Sequence, residues 1–428
     1  MEAARQQQSR KQWTATRAAA YFGLVVVAIG AGVAALLAAA AIDSTVAVFL
    51  GVGWVVFTVG VILAGRVLTC VPSGNRFVAL TVAVRSVVGS VLLLLPGRQA
   101  SPSLPDGFRQ IPIATGSTLA VARLPANVPT ASPPVVVLHG GPGVPDLDEN
   151  RKVFAPLTAR GLDVLLYAQV GTGASARLPD PRGYSRERDA ADLEALRQSL
   201  DLPRLFLVGH SYGGTVAAQY AADHPDRVAG MVLLSPAPLD PDDHSPDRVT
   251  TRLTIAQRLR VYRAVTTPRA LLGYALLQVD PRAARAYLPD PEADARNDIV
   301  VGRSTPALHC RNVVAPQTAN GTGFYAMQFP QSATAQPSTD LRARMTDLRT
   351  PTSIVKGSCD YLSWSSATDY RNRLPNSRLF YLPGAGHNVH QDRPHLIRAM
   401  ITALLDGRPT SIAEYEDDSR PADYEGPP

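Results

Sequence analysis

Cysteine is scarce, three residues in 428, which excludes a scaffold built from disulfides. Charged residues are also few, 18% against a hydrophobic fraction of 46%, so a chain kept disordered by its own charge is excluded too. A concentrated basic surface of the kind that grips nucleic acid is missing. The formal net charge is +6, yet residues 1–100 account for it with eight basic and two acidic side chains, while residues 101–428 carry 34 of each. The histidines are scattered and no cluster has metal-ligand spacing, so neither a metal nor a cofactor is expected. Internal repeats are absent. What the sequence has is length enough for two or three structural units, with its charge excess beside apolar runs.

Those runs predict a membrane segment at 18–95. Ala18–Ile42 is uncharged over 25 residues and Thr45–Ala64 over 20. At 1.5 Å rise per residue either is long enough to cross a hydrocarbon core of roughly 30 Å. Only Asp43 and Ser44 separate them, so they read as a helical hairpin. A cleaved signal peptide fits poorly, because its apolar core is shorter and a second span follows at once. Phe77–Leu95 is a third apolar run, interrupted by Arg85, which costs roughly 2.5–3.5 kcal/mol on insertion scales. Arg5, Arg10, Lys11 and Arg17 place the N-terminus (1–17) in the cytoplasm. If 77–95 spans, all that follows lies outside the cytoplasm; if it lies along the interface, the remainder is cytoplasmic. Three spans and an extracytoplasmic main domain are the expectation. Cys310 and Cys359 leave a pair or two free thiols open.

After a Pro/Ser/Gly-rich linker at 96–107 the pattern becomes alternating strands and helices. Strands are expected at Gln110–Ala114, Thr118–Arg123, Pro134–Leu138, Asp163–Ala168, Arg204–Val208 and Val228–Leu234. Helices are expected at Glu149–Arg160, Ser185–Ser199 and Tyr212–Asp223. Repeated β-α-β order implies a mostly parallel sheet covered on both faces. The order breaks at 241–346, where apolar residues recur at helical spacing and the sequence loosens around 317–336. It resumes at 347–407 with strands Thr352–Lys356 and Arg378–Leu382 and helices from about Ser365 and Arg393. The fold expected is therefore one α/β domain in two pieces, 108–240 and 347–407, with an inserted helical cap between them. The acidic tail 408–428 has little to bury and is expected to be disordered.

Gly209-His210-Ser211-Tyr212-Gly213-Gly214 follows an apolar strand and opens an Ala-rich helix. A serine on so sharp a strand–turn–helix corner is strained, and only small neighbours let strand and helix pass closely. Its hydroxyl projects beside the positive end of a helix, where a nucleophile is useful. Upstream, Pro134–Leu138 runs into His139-Gly140-Gly141-Pro142-Gly143, whose backbone can approach a developing oxyanion. The expected N–H donors are those of Gly141 and Tyr212. His139 reads as a structural hydrogen-bonding residue. An acid and a base should follow in the order Ser, Asp, His. Asp360 ends the segment Gly357-Ser358-Cys359-Asp360 at a strand's C-terminal edge, and His387 follows the turn Pro383-Gly384-Ala385-Gly386. His390 and His395 compete for the base and Asp347 and Asp369 for the acid, but they fall beyond the turn, on helices or ahead of the strand. Cys359 reads as a packed small residue.

These motifs resemble the α/β-hydrolase superfamily over about Phe108–Gly407, and within it the proline iminopeptidases and tripeptidyl aminopeptidases. The likeness is carried by His139–Gly143 (HGGPG), the turn at Gly209–Gly214, Gly357–Asp360 and Gly386-His387 with Asp392-Arg393-Pro394. Tyr167–Ser175 resembles the family's YDQRGxGxS segment, with Ala168 and Val170 where the family has Asp and Arg. The resemblance implies the α/β-hydrolase fold with a cap. It also implies cap acids that hold a substrate's amine, for which Asp280, Asp290, Glu292, Asp294 and Asp298 are the candidates; a solvated acidic face is the plainer reading. The expected activity is that of a membrane-anchored serine hydrolase with the triad Ser211, His387 and Asp360. Its substrate is a peptide with a free N-terminus or, alternatively, a membrane-proximal ester; a non-catalytic binding module is the remaining option. The partners expected are that substrate and the lipid bilayer, with oligomeric state left open.

Overall fold

The computed structural model describes residues 2–66, 80, 82, 84, 87–89, 91–100, 102–128, 130–311, 319–329 and 341–427. The chain divides into two compact units. One comprises Met1–Gly97 with Thr266–Pro289, the other Arg98–Val265 with Asp290–Pro428. The insertion between the two sheet halves is thus split: its middle, 266–289, joins the N-terminal helices instead of standing with the rest as one cap.

In the first unit, α1 (Glu2–Ala40) and α2 (Val46–Gly65) are long and apolar enough to cross a membrane over Ala15–Ala40 and Val46–Gly65. The connection is closed by Asp43, whose carboxylate accepts the Thr45 N–H at 2.8 Å. The two helices approach closely because small residues meet. A Cβ on Gly32 would lie 2.9 Å from Gly53 O, and one on Gly60 would lie 2.7 Å from the Ala28 Cβ. The third apolar run, 77–95, lies partly outside the described residues; of those described, 80, 82, 84, 87–89 and 91–94 are helical.

The second unit holds an eight-stranded sheet of order β1-β2-β4-β3-β5-β6-β7-β8. Its strands are β1 (Arg109–Pro112), β2 (Thr118–Leu124), β3 (Val135–Leu138), β4 (Val164–Tyr167), β5 (Leu205–His210), β6 (Val228–Leu234), β7 (Thr352–Cys359) and β8 (Ser377–Gly386). β1–β2 and β2–β4 are antiparallel; every later pair is parallel. β3, β4 and β7 are buried along their whole length, as strands covered on both faces must be. On one face Val135 and Val137 join Phe154, Ile397 and Met400 in a single apolar cluster. These come from α3 (Leu147–Phe154) and the last helix. α3 is shorter than its pattern suggested: it passes into a 3-10 turn at Ala155–Arg160 because Pro156 removes a backbone donor. α4 (Arg186–Ser199) starts at Ser185, whose hydroxyl caps the Arg188 N–H. It packs beside α5 (Tyr212–Asp223).

Between β6 and β7 come α6 (Ile255–Val265), α7 (Pro268–Val279), α8 (Pro281–Tyr287), α9 (Asp290–Ser304), α10 (Phe324–Gln328) and α11 (Leu341–Arg344). Of the loose stretch expected around 317–336, residues 319–329 are described and include α10; the rest lies outside the described residues. α12 (Ser365–Arg373), α13 (Val389–Asp392) and α14 (Pro394–Leu405) complete the core.

The acidic tail departs from expectation, because 408–427 is ordered along the β8 edge of the sheet. The Tyr415 N–H donates to Leu379 O at 2.7 Å, the Glu425 N–H to Ser358 O at 2.8 Å, and the Trp364 N–H to Pro427 O at 2.9 Å. Tyr415 and Tyr424 each lie 5.3 Å, ring to ring, from Trp364. Acidic side chains find partners in turn: Asp418 pairs with Arg371, and Glu425 with Arg252. Two tyrosines inside an acidic composition supply the apolar area that charge counting overlooks. Deleting 408–428 should therefore lower stability by about 3 kcal/mol or more, roughly the burial of two aromatic side chains, seen as a fall in Tm.

Candidate active site

Ser211 sits between β5 and α5 with φ +51° and ψ −118°, a conformation that L-residues rarely adopt. Its N–H donates to Leu234 O and its carbonyl accepts from Ala237 N, so both flanks are fixed by the sheet and the loop after β6. The crowding expected at this corner is present. A Cβ on Gly209 would fall 2.4 Å from Gly213 O, and one on Gly213 would fall 2.2 Å from Leu138 O. Only glycine lets α5 cross β3 and β5 so closely.

Asp360 directly follows β7 and His387 directly follows β8, neighbouring parallel strands, so both emerge at one end of the sheet. His387 Nδ1 lies 2.8 Å from Asp360 Oδ1. That contact assigns the proton to Nδ1 and leaves Nε2 to accept. The loop that carries His387 meets the serine corner through His210, whose Nε2 is 3.2 Å from His387 O. The Ser211 hydroxyl itself makes no hydrogen bond to His387 among the described residues; such contacts often tighten only with substrate bound. All three side chains are buried.

Gly140 lies against the same corner, since a Cβ there would be 3.1 Å from the Ser211 Cβ and 2.8 Å from His210 Nδ1. Gly140 therefore borders the serine. Tyr212 is the first residue of α5, where an N–H has no acceptor within the helix. His139 holds this loop in place: its Nε2 accepts the Gln169 N–H at 3.0 Å and its Nδ1 contacts Gly140 O at 3.0 Å. Burial pulls its pKa down to about 4, so it stays neutral.

The rival residues are placed elsewhere. His390 stacks on Phe154 with its ring tilted against His210, and burial lowers its pKa to about 3. Asp369 is held on α12 by Arg342 and Arg373. Asp347 ends a 3-10 turn ahead of β7, and His395 opens α14. Among the described residues no group of three or more His, Cys, Asp or Glu side chains could hold a metal ion.

The five insertion acids form no solvated face. Glu292 and Asp294 are buried and paired with Arg296 and Arg177. Asp294 also accepts the Phe324 N–H, Asp298 holds the Thr322 N–H and hydroxyl, and Asp280 caps α8. Burial, opposed by Arg177, raises the Asp294 pKa to about 6. Asp290 opens α9.

A sheet of this order, with its serine corner and an Asp–His pair at one end, invites comparison with known proteins. The family model described as alpha/beta hydrolase fold matches residues 133–277. The chain has the α/β-hydrolase fold. It is 28% identical over 283 residues to a (lyso)-N-acylphosphatidylethanolamine lipase of Bos taurus, covering 64% of this chain and 79% of the relative. To a proline iminopeptidase of Lactobacillus helveticus it is 27% identical over 285 residues, covering 64% and 90%. The solved proline iminopeptidase of Mycobacterium smegmatis is similar with a TM-score of 0.48 and 19% identity over 70% of this chain and 98% of that one. A chain with this fold and with lipase and peptidase relatives is a hydrolytic enzyme.

In this α/β-hydrolase two features went unread in the sequence. Lys356, fully buried on β7, places its Nζ 2.8 Å from Asp360 Oδ2 and 2.9 Å from Ser366 Oγ. A lone lysine in a strand buried on both faces demands an anion, and Asp360 is four residues on; that signal was available. Burial alone would raise the Asp360 pKa, but Lys356 and His387 outweigh it and hold the carboxyl well below the usual range. Secondly, Cys359 is neither a free thiol nor merely a packed side chain: it is bonded to Cys310. Beside that bridge, the His309 Nδ1 lies 2.6 Å from Asp392 Oδ1, and Asp392 Oδ2 accepts the Gly386 N–H. Residues 308–310 of the insertion thus clamp the loops that carry both Asp360 and His387.

Proposed function

We propose that this enzyme is a membrane-anchored serine hydrolase that cleaves membrane-proximal acyl esters through an acyl-enzyme. The observation that carries the reading is the Asp360–His387 hydrogen bond at the sheet end that also bears the strained Ser211. His387 Nε2 takes the Ser211 proton as Oγ attacks the acyl carbon. The Gly141 and Tyr212 N–H groups hold the oxyanion, each worth roughly 2.7–4 kcal/mol of barrier. The imidazolium, stabilised by Asp360, protonates the departing alcohol, and water then frees the acyl group by the reverse proton path.

An ester is favoured over an N-terminal amine because the buried insertion acids already have arginine or backbone partners. Two apolar helices of spanning length support access to lipid. An aminopeptidase is the second reading, supported by HGGPG and by relatives named proline iminopeptidase. The Cys310–Cys359 bond supports an oxidising, extracytoplasmic side for the catalytic unit. With a cytoplasmic N-terminus, that side requires 77–95 to cross as a third span.

The test is fluorophosphonate labelling of the full-length chain, followed by a chromogenic screen of acyl esters against aminoacyl amides. Labelling with ester turnover is the result expected. Amide turnover instead selects the aminopeptidase, and an unlabelled, folded chain means a binding module.

A further inference from the structure

The middle of the insertion carries no role in the chemistry above, yet it clusters with the N-terminal helices. α7 has one charged residue, Arg269, in its first turn, and is apolar around most of its circumference. A helix of that kind is buried in protein or lipid. It packs against α1, and α8 packs against α2. The hairpin's two ends are fastened to one carbonyl. Arg269 donates to Leu93 O at 2.7 Å, the Tyr287 hydroxyl donates to the same oxygen at 2.8 Å, and the guanidinium lies 4.6 Å from the Tyr287 ring centre. Leu93 lies just ahead of Pro96, where the apolar run ends. Arginine and tyrosine at that level are the residue types that anchor a helix at a membrane interface. Two positions past Arg269, Leu271 is 52% exposed.

α6, which precedes this hairpin in sequence, gives an independent sign. Ile255, Leu259 and Tyr262 recur at i, i+4 and i+7 and are 77%, 58% and 45% exposed. Val261 points the other way, into a cluster with Leu253 and Ala307. Arg260 and Arg263 are exposed beside the stripe. An apolar stripe bordered by cations suits the headgroup region of an anionic bilayer. The adjoining hairpin already docks on helices of spanning length, which makes lipid, not a soluble protein, the occupant.

We propose that the hairpin 266–289 and the apolar stripe of α6, each within its own unit, rest on the lipid bilayer, so that the acyl substrate is taken from the membrane and not from water. This rests on the membrane-anchored ester-hydrolase reading above. The test uses the full-length chain in nanodiscs of phosphatidylcholine and phosphatidylglycerol, in a Cys70→Ser background. Leu259→Cys and Leu271→Cys each receive an environment-sensitive fluorophore, and Val128→Cys, on an exposed loop of the sheet unit, serves as the aqueous reference. A lipid nitroxide near the headgroups should quench positions 259 and 271, while iodide quenches only 128. Iodide quenching at 259 and 271 equal to that at 128 overturns the proposal. In parallel, the Leu259→Glu/Leu271→Glu double variant should turn over a long-chain acyl lipid in vesicles about tenfold more slowly and a soluble short-chain ester at the wild-type rate. Unchanged vesicle turnover also overturns it. If wild-type protein cleaves neither ester but the nitroxide quenching is observed, the catalytic reading fails and the membrane surface stands.

Discussion

Ser211→Ala is expected to abolish fluorophosphonate labelling and to lower kcat by on the order of 10⁶-fold, the scale seen when a triad serine is removed. The fold should survive, because alanine meets the same backbone at φ +51° and the hydroxyl makes no contact that holds the core. Ser211→Gly separates chemistry from strain. Releasing an unfavourable φ/ψ pair returns roughly 1–3 kcal/mol, of which the extra freedom of glycine in the unfolded chain cancels about 0.5–1 kcal/mol. That variant should be as inactive as Ser211→Ala and more stable, read as a higher denaturation midpoint. If either variant keeps wild-type turnover of the best ester, Ser211 is not the nucleophile.

Lys356→Met is expected to be the most damaging change away from the reacting atoms. Removing one partner of a fully buried ion pair leaves the other uncompensated, at a cost of about 3–5 kcal/mol. The pH dependence carries the sign. Asp360 has its pKa depressed in the folded protein, so its ionised form adds stability that is complete above about pH 4 and fades as pH falls. Without Lys356, burial pushes that carboxyl up, and acid unfolding should begin at higher pH. Lys356→Arg keeps the charge and should restore the resistance to acid more than the packing. Acid unfolding that begins at the same pH in Lys356→Met as in the wild type would reduce the lysine to a packing role.

Much of this architecture was legible in advance, because strand and turn chemistry are local. Val228–Leu234 was read to the residue, and the glycines around Ser211 announced a crossing that the backbone then made. β7 and β8 run three and four residues further at their C-terminal ends than the apolar pattern, since Gly357 with Leu382 and Cys359 with Gly386 continue the ladder across an irregularity that no apolar alternation marks. Asp360 and His387 were legible because each ends a strand at the same side of a parallel sheet. Lys356 is legible only as a charge inside a buried strand, which demands an anion, and not from the loops where chemistry collects. The tail was misread for a related reason: Tyr415 and Tyr424 pack on Trp364, and only three-dimensional proximity joins them. The split of the insertion between two units has no signature in hydropathy, which grades residues without saying which helices they meet.

The Cys310–Cys359 bridge has a practical corollary for anyone producing this enzyme. Cys359 precedes Asp360 and Cys310 follows His309, so reduction would free the insertion from the loop that carries Asp360. Material expressed in a bacterial cytosol should then be folded along the sheet yet poorly active, whereas secretion to the periplasm, or purification without thiol additives, should recover full specific activity from the same polypeptide.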